Sequence, residues 1–180
     1  MSGRKAPERL LFVDGYNVLN ARRHLSGGAQ LADARDALVH ELQDYAGFSG
    51  QRIVLVFDAW QSSRMQRTVE DHGQVRVVFT QKGETADHYI ERLCDDCAED
   101  IEYRRVEVRV ATSDALEQTI VLGRGATRLS ARELLLEMQQ VRQNGVERRP
   151  QPSKRSTVGD RIPEHIVRKM RDMVREGSEE

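Results

Sequence analysis

The chain has 180 residues, 38% of them hydrophobic and 32% charged, which is enough apolar material for the core of one ordinary domain beneath a highly charged surface. Its 28 basic and 29 acidic side chains give a net charge of −1, which excludes a uniformly basic coat protein for nucleic acid but not a local basic patch. The two cysteines, Cys94 and Cys97, are too few for a disulfide framework or for a four-ligand zinc site of their own.

Short apolar strands alternate with amphipathic helices through most of the chain. The predicted elements are strand 10–13 ended by Asp14-Gly15, helix 31–45, strand 53–57, strand 75–79, helix 85–98, strand 106–111, short helix 114–122 and helix 130–141. Ser130 and Glu133 have the spacing of a capping box at the start of the last helix. This alternation predicts an α/β fold with a mainly parallel sheet covered by helices on both faces.

The C-terminal part has a different composition. Residues 148–161 contain five basic residues against one acidic residue, two prolines, and Val158 as the one large apolar residue, a pattern typical of a linker or arm. Beyond it, Ile162, Ile166 and Met170 recur at helical spacing. We therefore divide the chain into a domain at 9–145, a basic linker at 146–161 and a short amphipathic C-terminal helix at 162–180.

Aspartates follow several of the predicted strands. Asp14, Asp58 and Asp114 lie at or near the ends of three strands, and Asp87 lies in the first turn of a helix that follows a fourth. Because the functional cleft of an open parallel sheet lies outside the carboxyl ends of its strands, we expect the four carboxylates to share one edge. Crowded carboxylates repel one another unless a cation compensates, and oxygen ligands alone favour Mg²⁺ or Mn²⁺ over zinc.

Each aspartate also has a purely structural interpretation. Asp14-Gly15 is a common turn signal, and Asp58 could simply terminate a strand. Asp114 could cap a helix, with Glu117 as its capping partner. Asp87 could merely favour the positive end of its helix dipole. The argument for a shared site depends on all four mapping to the same edge.

Five blocks, in order along the chain, resemble the YacP-like branch of the NYN domain family, which is related to PIN-domain nucleases. The blocks are residues 14–18 (DGYNV), 56–59 (VFDA), 84–91 (ETADHYIE), 111–114 (ATSD) and 125–134 (GATRLSAREL), and the resemblance covers about residues 9–144. It implies a PIN-like fold and a Mg²⁺- or Mn²⁺-dependent endoribonuclease that acts on mRNA in connection with translating ribosomes. By matching position, it implies that the site residues are Asp14, Asn17, Asp87 and Asp114, with Asp58 as a further metal ligand.

The expected chemistry is hydrolysis of a phosphodiester. A divalent ion held by Asp14, Asp87 and Asp114 would lower the pKa of bound water and would neutralise charge on the phosphate oxygens. The expected products are a 5′-phosphate and a 3′-hydroxyl, since water attacks instead of the ribose 2′-hydroxyl. The amide of Asn17 can donate a hydrogen bond to a phosphate or orient a ligand carboxylate.

Basic and aromatic side chains near the same edge are candidates for RNA binding. Lys82 precedes Asp87, while Arg22 and Arg64 follow the segments that contain Asn17 and Asp58. Any of these cations could equally be solvated on the surface. Trp60, where the family more usually has a small or histidine-containing loop, could stack on a base or cover the core.

The sequence also bears on location and on competing functions. No apolar run approaches the roughly 18 residues of a membrane span, and residues 1–9 lack the apolar stretch of a secretory signal. We therefore expect a cytoplasmic protein that binds RNA and does not bind a membrane.

The alternative function is a catalytically idle RNA- or ribosome-binding module of the same fold. The RNA target, the number of metal ions and the oligomeric state stay open.

Overall fold

A computed structural model describes residues 6–22, 28–59, 66–112 and 125–147. Its strands are β1 (Glu8–Asp14), β2 (Arg52–Phe57), β3 (Thr68–His72), β4 (Val75–Phe79), β5 (Val106–Ala111) and β6 (Thr127–Leu129). Its helices are α1 (Gly15–Ala21), α2 (Gly28–Ser49), α3 (Ala86–Glu102) and α4 (Ala131–Glu147). None of these four helices is both long and apolar enough to cross a lipid bilayer.

The six strands form one sheet in the order β3-β4-β2-β1-β5-β6. Every neighbouring pair is parallel except β3 and β4, which form an antiparallel hairpin at one end of the sheet. The chain leaves β1 toward β2 and β4 on one side and later returns to β5 and β6 on the other. The carboxyl ends of the parallel strands therefore meet at one edge, which we call the carboxyl edge. The predicted fold class is confirmed.

Helices cover both faces of the sheet, and β1 shows how its side chains divide between them. Leu10 and Phe12 belong to the core cluster on the α3 side. Leu11 and Val13 belong to the cluster shared with α1, α2 and α4. All four side chains are at most 1% exposed. A strand that is buried on both faces has no polar alternation, which explains why β1 and β2 are continuous apolar runs.

Three short elements differ from the sequence-based expectation. Helix α1 begins directly at Gly15, where the sequence suggested a turn, and β3 and β6 were not predicted. Strand β3 contains one large apolar residue, Val69, among polar residues that are mostly exposed, and β6 has three residues. The predicted elements at 114–122 and 162–180 lie outside the described residues.

The predicted capping box at the start of α4 is confirmed. The backbone N–H of Ser130 donates to Glu133 at 2.7 Å, and the N–H of Glu133 donates to the Ser130 hydroxyl at 3.1 Å.

The junction of β1 and α1 packs directly against the aromatic ring of Phe57. A Cβ atom at Gly15 would lie 2.3 Å from a carbon of that ring, closer than any real contact. Phe57 is fully buried, and its ring contacts those of Tyr16 and Phe79, with centroid distances of 5.1 and 5.5 Å. Because the ring has no space to withdraw into, only glycine lets α1 begin at this position.

Gly15→Ala is therefore expected to lower the free energy of unfolding by about 1–3 kcal/mol, the usual cost of overpacking a core. The matched control is Gly47→Ala in α2, where an added Cβ has nothing within 4 Å. There the substitution should raise stability by up to about 1 kcal/mol, through helix propensity alone. Denaturant unfolding of both variants checks the prediction, and equal effects of the two substitutions would contradict it.

Candidate active site at the carboxyl edge

Asp14 is both the last residue of the central strand β1 and the N-cap of α1. Its backbone is extended, and its carboxylate oxygen Oδ1 accepts a hydrogen bond from the backbone N–H of Asn17 at 3.1 Å. This is the usual N-cap arrangement, in which a side-chain oxygen satisfies one of the free N–H groups of the first helical turn. Asn17 therefore lies in helix α1, one turn from Asp14.

The other side of the site is the start of α3. Thr85 is its N-cap and accepts a hydrogen bond from the backbone N–H of His88 at 3.2 Å. Asp87 lies in the first turn, where the positive end of the helix dipole favours a carboxylate. Asp87 therefore does lie where it favours the helix dipole, as its structural interpretation requires. That interpretation does not explain which residue its side chain faces.

Asp87 faces Asp14. The pKa of Asp14 is raised to about 6, chiefly by burial, and the hydrogen bond from Asn17 opposes the rise. The neighbouring carboxyl group of Asp87 and the charge of Asp58 contribute smaller parts of the same rise. Of the four aspartates predicted to share an edge, the structure therefore brings Asp14 and Asp87 together, with Asp58 near enough for its charge to act on Asp14. Asp114 lies outside the described residues.

The chemistry of this site suits a hard divalent cation. Its donors are carboxylate oxygens only, and the pKa of Asp14 is raised chiefly by burial and also by the charges of Asp87 and Asp58. A cation would remove the repulsion among these charges. Within the described ranges, however, no group of three or more acidic, histidine or cysteine side chains is arranged to hold a metal ion. A complete ligand set therefore requires a further group, and Asp114 is the predicted one.

The predicted RNA contacts have different environments. Lys82 is exposed in a β-turn closed by the hydrogen bond from the N–H of Glu84 to the carbonyl of Gln81, at 3.0 Å, in which Gly83 has a φ of 85°. Arg22 forms a two-pronged ion pair with Glu41 at 2.5 and 3.2 Å, so its charge is already compensated. Arg64 and Trp60 lie outside the described residues.

Arg67 has a structural role that the sequence did not reveal. It follows Asp58 by nine residues, yet it is 6% exposed and forms two hydrogen bonds, at 3.0 and 2.6 Å, with the buried carboxylate of Glu84. Its guanidinium also stacks on the ring of Tyr89, 5.0 Å from the centroid. Because the two partners are 17 residues apart, no local pattern indicates the pair. Arg67 is therefore not available to RNA.

Comparison with known proteins finds a matching family, a similar protein and two similar crystal structures. The sequence profile of the YacP-like NYN domain matches residues 11–175, so the match continues beyond α4. The protein YacP of Bacillus subtilis (strain 168) is 37% identical over 142 residues, which cover 78% of this chain and 80% of YacP. A crystal structure of a point mutant of Rae1 (YacP) from Bacillus subtilis matches with a TM-score of 0.63 and 34% identity, over 77% of this chain and 80% of that one. A second crystal structure of Rae1 (YacP) matches with a TM-score of 0.57 and 31% identity, over 94% and 85%.

In the metal-free protein, Asp14→Asn is expected to raise the free energy of unfolding at neutral pH. The pKa of Asp14 is about 6 in the folded protein against an ordinary value of 3.8, so ionisation opposes folding. That cost is complete above about pH 7 and absent below about pH 4, and a difference of about two pH units corresponds to roughly 3 kcal/mol. Asparagine keeps the N-cap acceptor, so the helix stays capped.

Urea unfolding of both proteins across this pH range measures the effect. The matched control is Asp33→Asn, which makes the same change at an exposed position of α2 and should alter stability by less than about 0.5 kcal/mol at any pH. A stability difference between Asp14→Asn and the parent protein that stays constant with pH would contradict the raised pKa of Asp14.

Proposed function

The chain belongs to the YacP-like NYN domain family, and from that premise we propose that it is a divalent-metal-dependent endoribonuclease. NYN domains share a PIN-like nuclease fold, which supports a nuclease-like, RNA-related role. The observation that favours catalysis most directly is the approach of the carboxyl groups of Asp14 and Asp87 at the carboxyl edge, which contributes to the raised pKa of Asp14. A protein that only binds RNA has no use for an unneutralised pair of acids beside its ligand, because RNA is itself an anion.

The proposed cofactor is Mg²⁺ or Mn²⁺. Asp14 and Asp87 would hold it, with Asp58 and Asp114 as further ligands, since oxygen donors of this type suit hard cations. When bound, such an ion supplies a nucleophilic water at neutral pH and relieves charge on the scissile phosphate. Acid should suppress activity, because protons compete for the same carboxylates.

Two other residues are proposed to handle the substrate. Asn17 lies one helical turn from Asp14, and its side-chain amide can donate a hydrogen bond that a carboxylate could not. Lys82 is exposed on the turn that precedes α3, so its ammonium group can reach a phosphate near Asp87 at little desolvation cost. Together they would bind and orient the phosphate that the acidic group alone would repel.

The proposed substrate is RNA, and specifically mRNA, with translating ribosomes as the setting implied by the family resemblance. That setting would place the protein in the cytoplasm. An edge with few cations binds a free strand weakly, so a partner that presents the RNA would increase cleavage. Cleavage should therefore be measured both on naked RNA and on translating ribosomes.

The alternative is an idle RNA- or ribosome-binding module. One observation favours it, namely that the described residues do not form a complete group of three metal-binding side chains. The two functions differ in what they require from Asp87. An idle module should keep its function without that carboxylate, whereas a nuclease should not.

Asp87→Asn is expected to reduce RNA cleavage by at least about 100-fold, because it removes a ligand and a charge from the site. The fold should be retained, since asparagine preserves the size of the side chain. The control is Asp95→Asn, the same change at an exposed position farther along α3, which should leave cleavage unchanged. Cleavage is followed on end-labelled RNA, and the products should have a 5′-phosphate and a 3′-hydroxyl.

The same assay includes EDTA, followed by excess Mg²⁺ or Mn²⁺. Cleavage should stop on chelation and return with either ion. Undiminished cleavage in excess EDTA would rule out the metal-dependent mechanism. Full cleavage by purified Asp87→Asn protein would rule out this site.

The basic segment 148–161 is expected to contribute to RNA affinity through the release of counterions from the phosphates. Changing Arg148, Arg149, Lys154 and Arg155 to glutamine removes four positive charges, and should make the slope of log affinity against log salt shallower by up to about 3. The matched control changes Arg168, Lys169, Arg171 and Arg175 to glutamine, which removes the same charge from the C-terminal segment. Filter binding across salt concentrations measures both. An unchanged slope in the first variant would mean that this segment contacts no phosphate.

A further inference from the structure

The hydroxyl of Thr80 links the loop that contains Asp58 to the loop that leads into α3. Thr80 follows β4 and is fully buried. Its oxygen Oγ1 accepts a hydrogen bond from the backbone N–H of Ala59 at 2.9 Å and donates one to the backbone carbonyl of Glu84 at 2.8 Å. A hydroxyl can accept and donate at the same time, so this one atom satisfies two buried backbone groups.

Thr80 also holds the segment on the other side of Asp58. Its backbone N–H donates to the carbonyl of Phe57 at 3.0 Å. Asp58 therefore lies between two residues, Phe57 and Ala59, that are both hydrogen-bonded to Thr80. Thr80 therefore helps to fix the Asp58 backbone relative to β4 from both sides.

The other end of the link is Glu84, three residues before Asp87. Its carboxylate is buried, and it forms ion pairs with Arg67 and with Arg92. Breaking a buried ion pair leaves an uncompensated charge, so this side chain has little freedom to move. Because the backbone carbonyl of Glu84 is held by Thr80 as well, the start of α3 is attached to the sheet at two points.

We propose that Thr80 is a positioning residue for the nuclease site, whose hydroxyl sets the separation between the carboxylates of Asp58 and Asp87 around Asp14. The inference rests on the proposed function. Thr80 does not touch the substrate or the cation. It acts through the two backbone segments that precede and follow it, in the way that outer-shell hydrogen bonds orient the ligands of a metal.

The test compares Thr80→Val with Thr80→Ser. Valine has nearly the same shape as threonine but lacks the hydroxyl, while serine keeps the hydroxyl and loses the methyl group. Mn²⁺ affinity is measured on the full chain by electron paramagnetic resonance, and kcat and KM are measured for RNA cleavage. Thr80→Val should bind Mn²⁺ about 10–100-fold more weakly, with a lower kcat and a KM for RNA within about 2-fold of the parent value. Thr80→Ser should restore both quantities to within about 2-fold.

A control separates positioning from general loss of stability. Val106→Ala removes two methyl groups from a buried side chain at the start of β5, at the opposite end of the strands, and should lower the melting temperature without changing Mn²⁺ affinity. If Thr80→Val does not fold, Thr80→Ala replaces it, because alanine also removes the hydroxyl but places no methyl group against the backbone groups of Ala59 and Glu84.

The inference is overturned if folded Thr80→Val, or Thr80→Ala in its place, binds Mn²⁺ as tightly as the parent protein. It is also overturned if Thr80→Ser fails to restore affinity, because shape and not the hydroxyl would then matter. Those outcomes leave the proposed function intact, since the parent protein still binds Mn²⁺ and cleaves RNA. A parent protein that does neither would overturn the proposed function and this inference together.

Discussion

Repulsion among carboxylates at the carboxyl edge is the interaction on which the candidate site depends. Parallel strands end side by side, so the topology brings Asp14 and Asp58 to one edge, and the helix after β4 adds Asp87. Burial and these neighbours raise the pKa of Asp14 to about 6. These crowded carboxyl groups lower the stability of the protein when no cation is bound. They are useful only if a cation binds beside them. Under the proposed function, a divalent cation that activates a water for attack on RNA would account for this cost.

The neighbouring residues hold the repelling carboxylates in place. Most of their contacts are made by uncharged groups or by charged groups that are already paired. The carboxylate of Asp14 is held by the hydrogen bond from the backbone N–H of Asn17, which caps α1. Helix α1 can begin at Gly15 because this residue has no Cβ atom to collide with the ring of Phe57. On the other side, buried ion pairs of Glu84 and the hydroxyl of Thr80 hold the start of α3. Catalytic carboxylates kept in place by rigid neighbours need less reorganisation when the substrate binds.

Much of this arrangement could be predicted from the sequence, because its signals are local. Buried parallel strands are continuous apolar runs, and an aspartate that directly follows such a run must lie near the carboxyl edge, as Asp14 and Asp58 do. Other features depend on contacts between distant residues, and no local pattern indicates them. The pair of Arg67 and Glu84 is one example, and the link made by Thr80 is another. Strand β3 lacks an apolar alternation because it is an edge strand with one large apolar residue, Val69. The role of Asp114 stays a prediction.

A crystal of the protein soaked in Mn²⁺ tests the central claim most directly, because anomalous scattering locates the ion without any assumption about activity. The account predicts one anomalous peak within about 2.5 Å of carboxylate oxygens from both Asp14 and Asp87. It also predicts that Mg²⁺ in excess displaces the peak. A fully occupied Mn²⁺ elsewhere on the protein, with none between these two residues, would contradict the account.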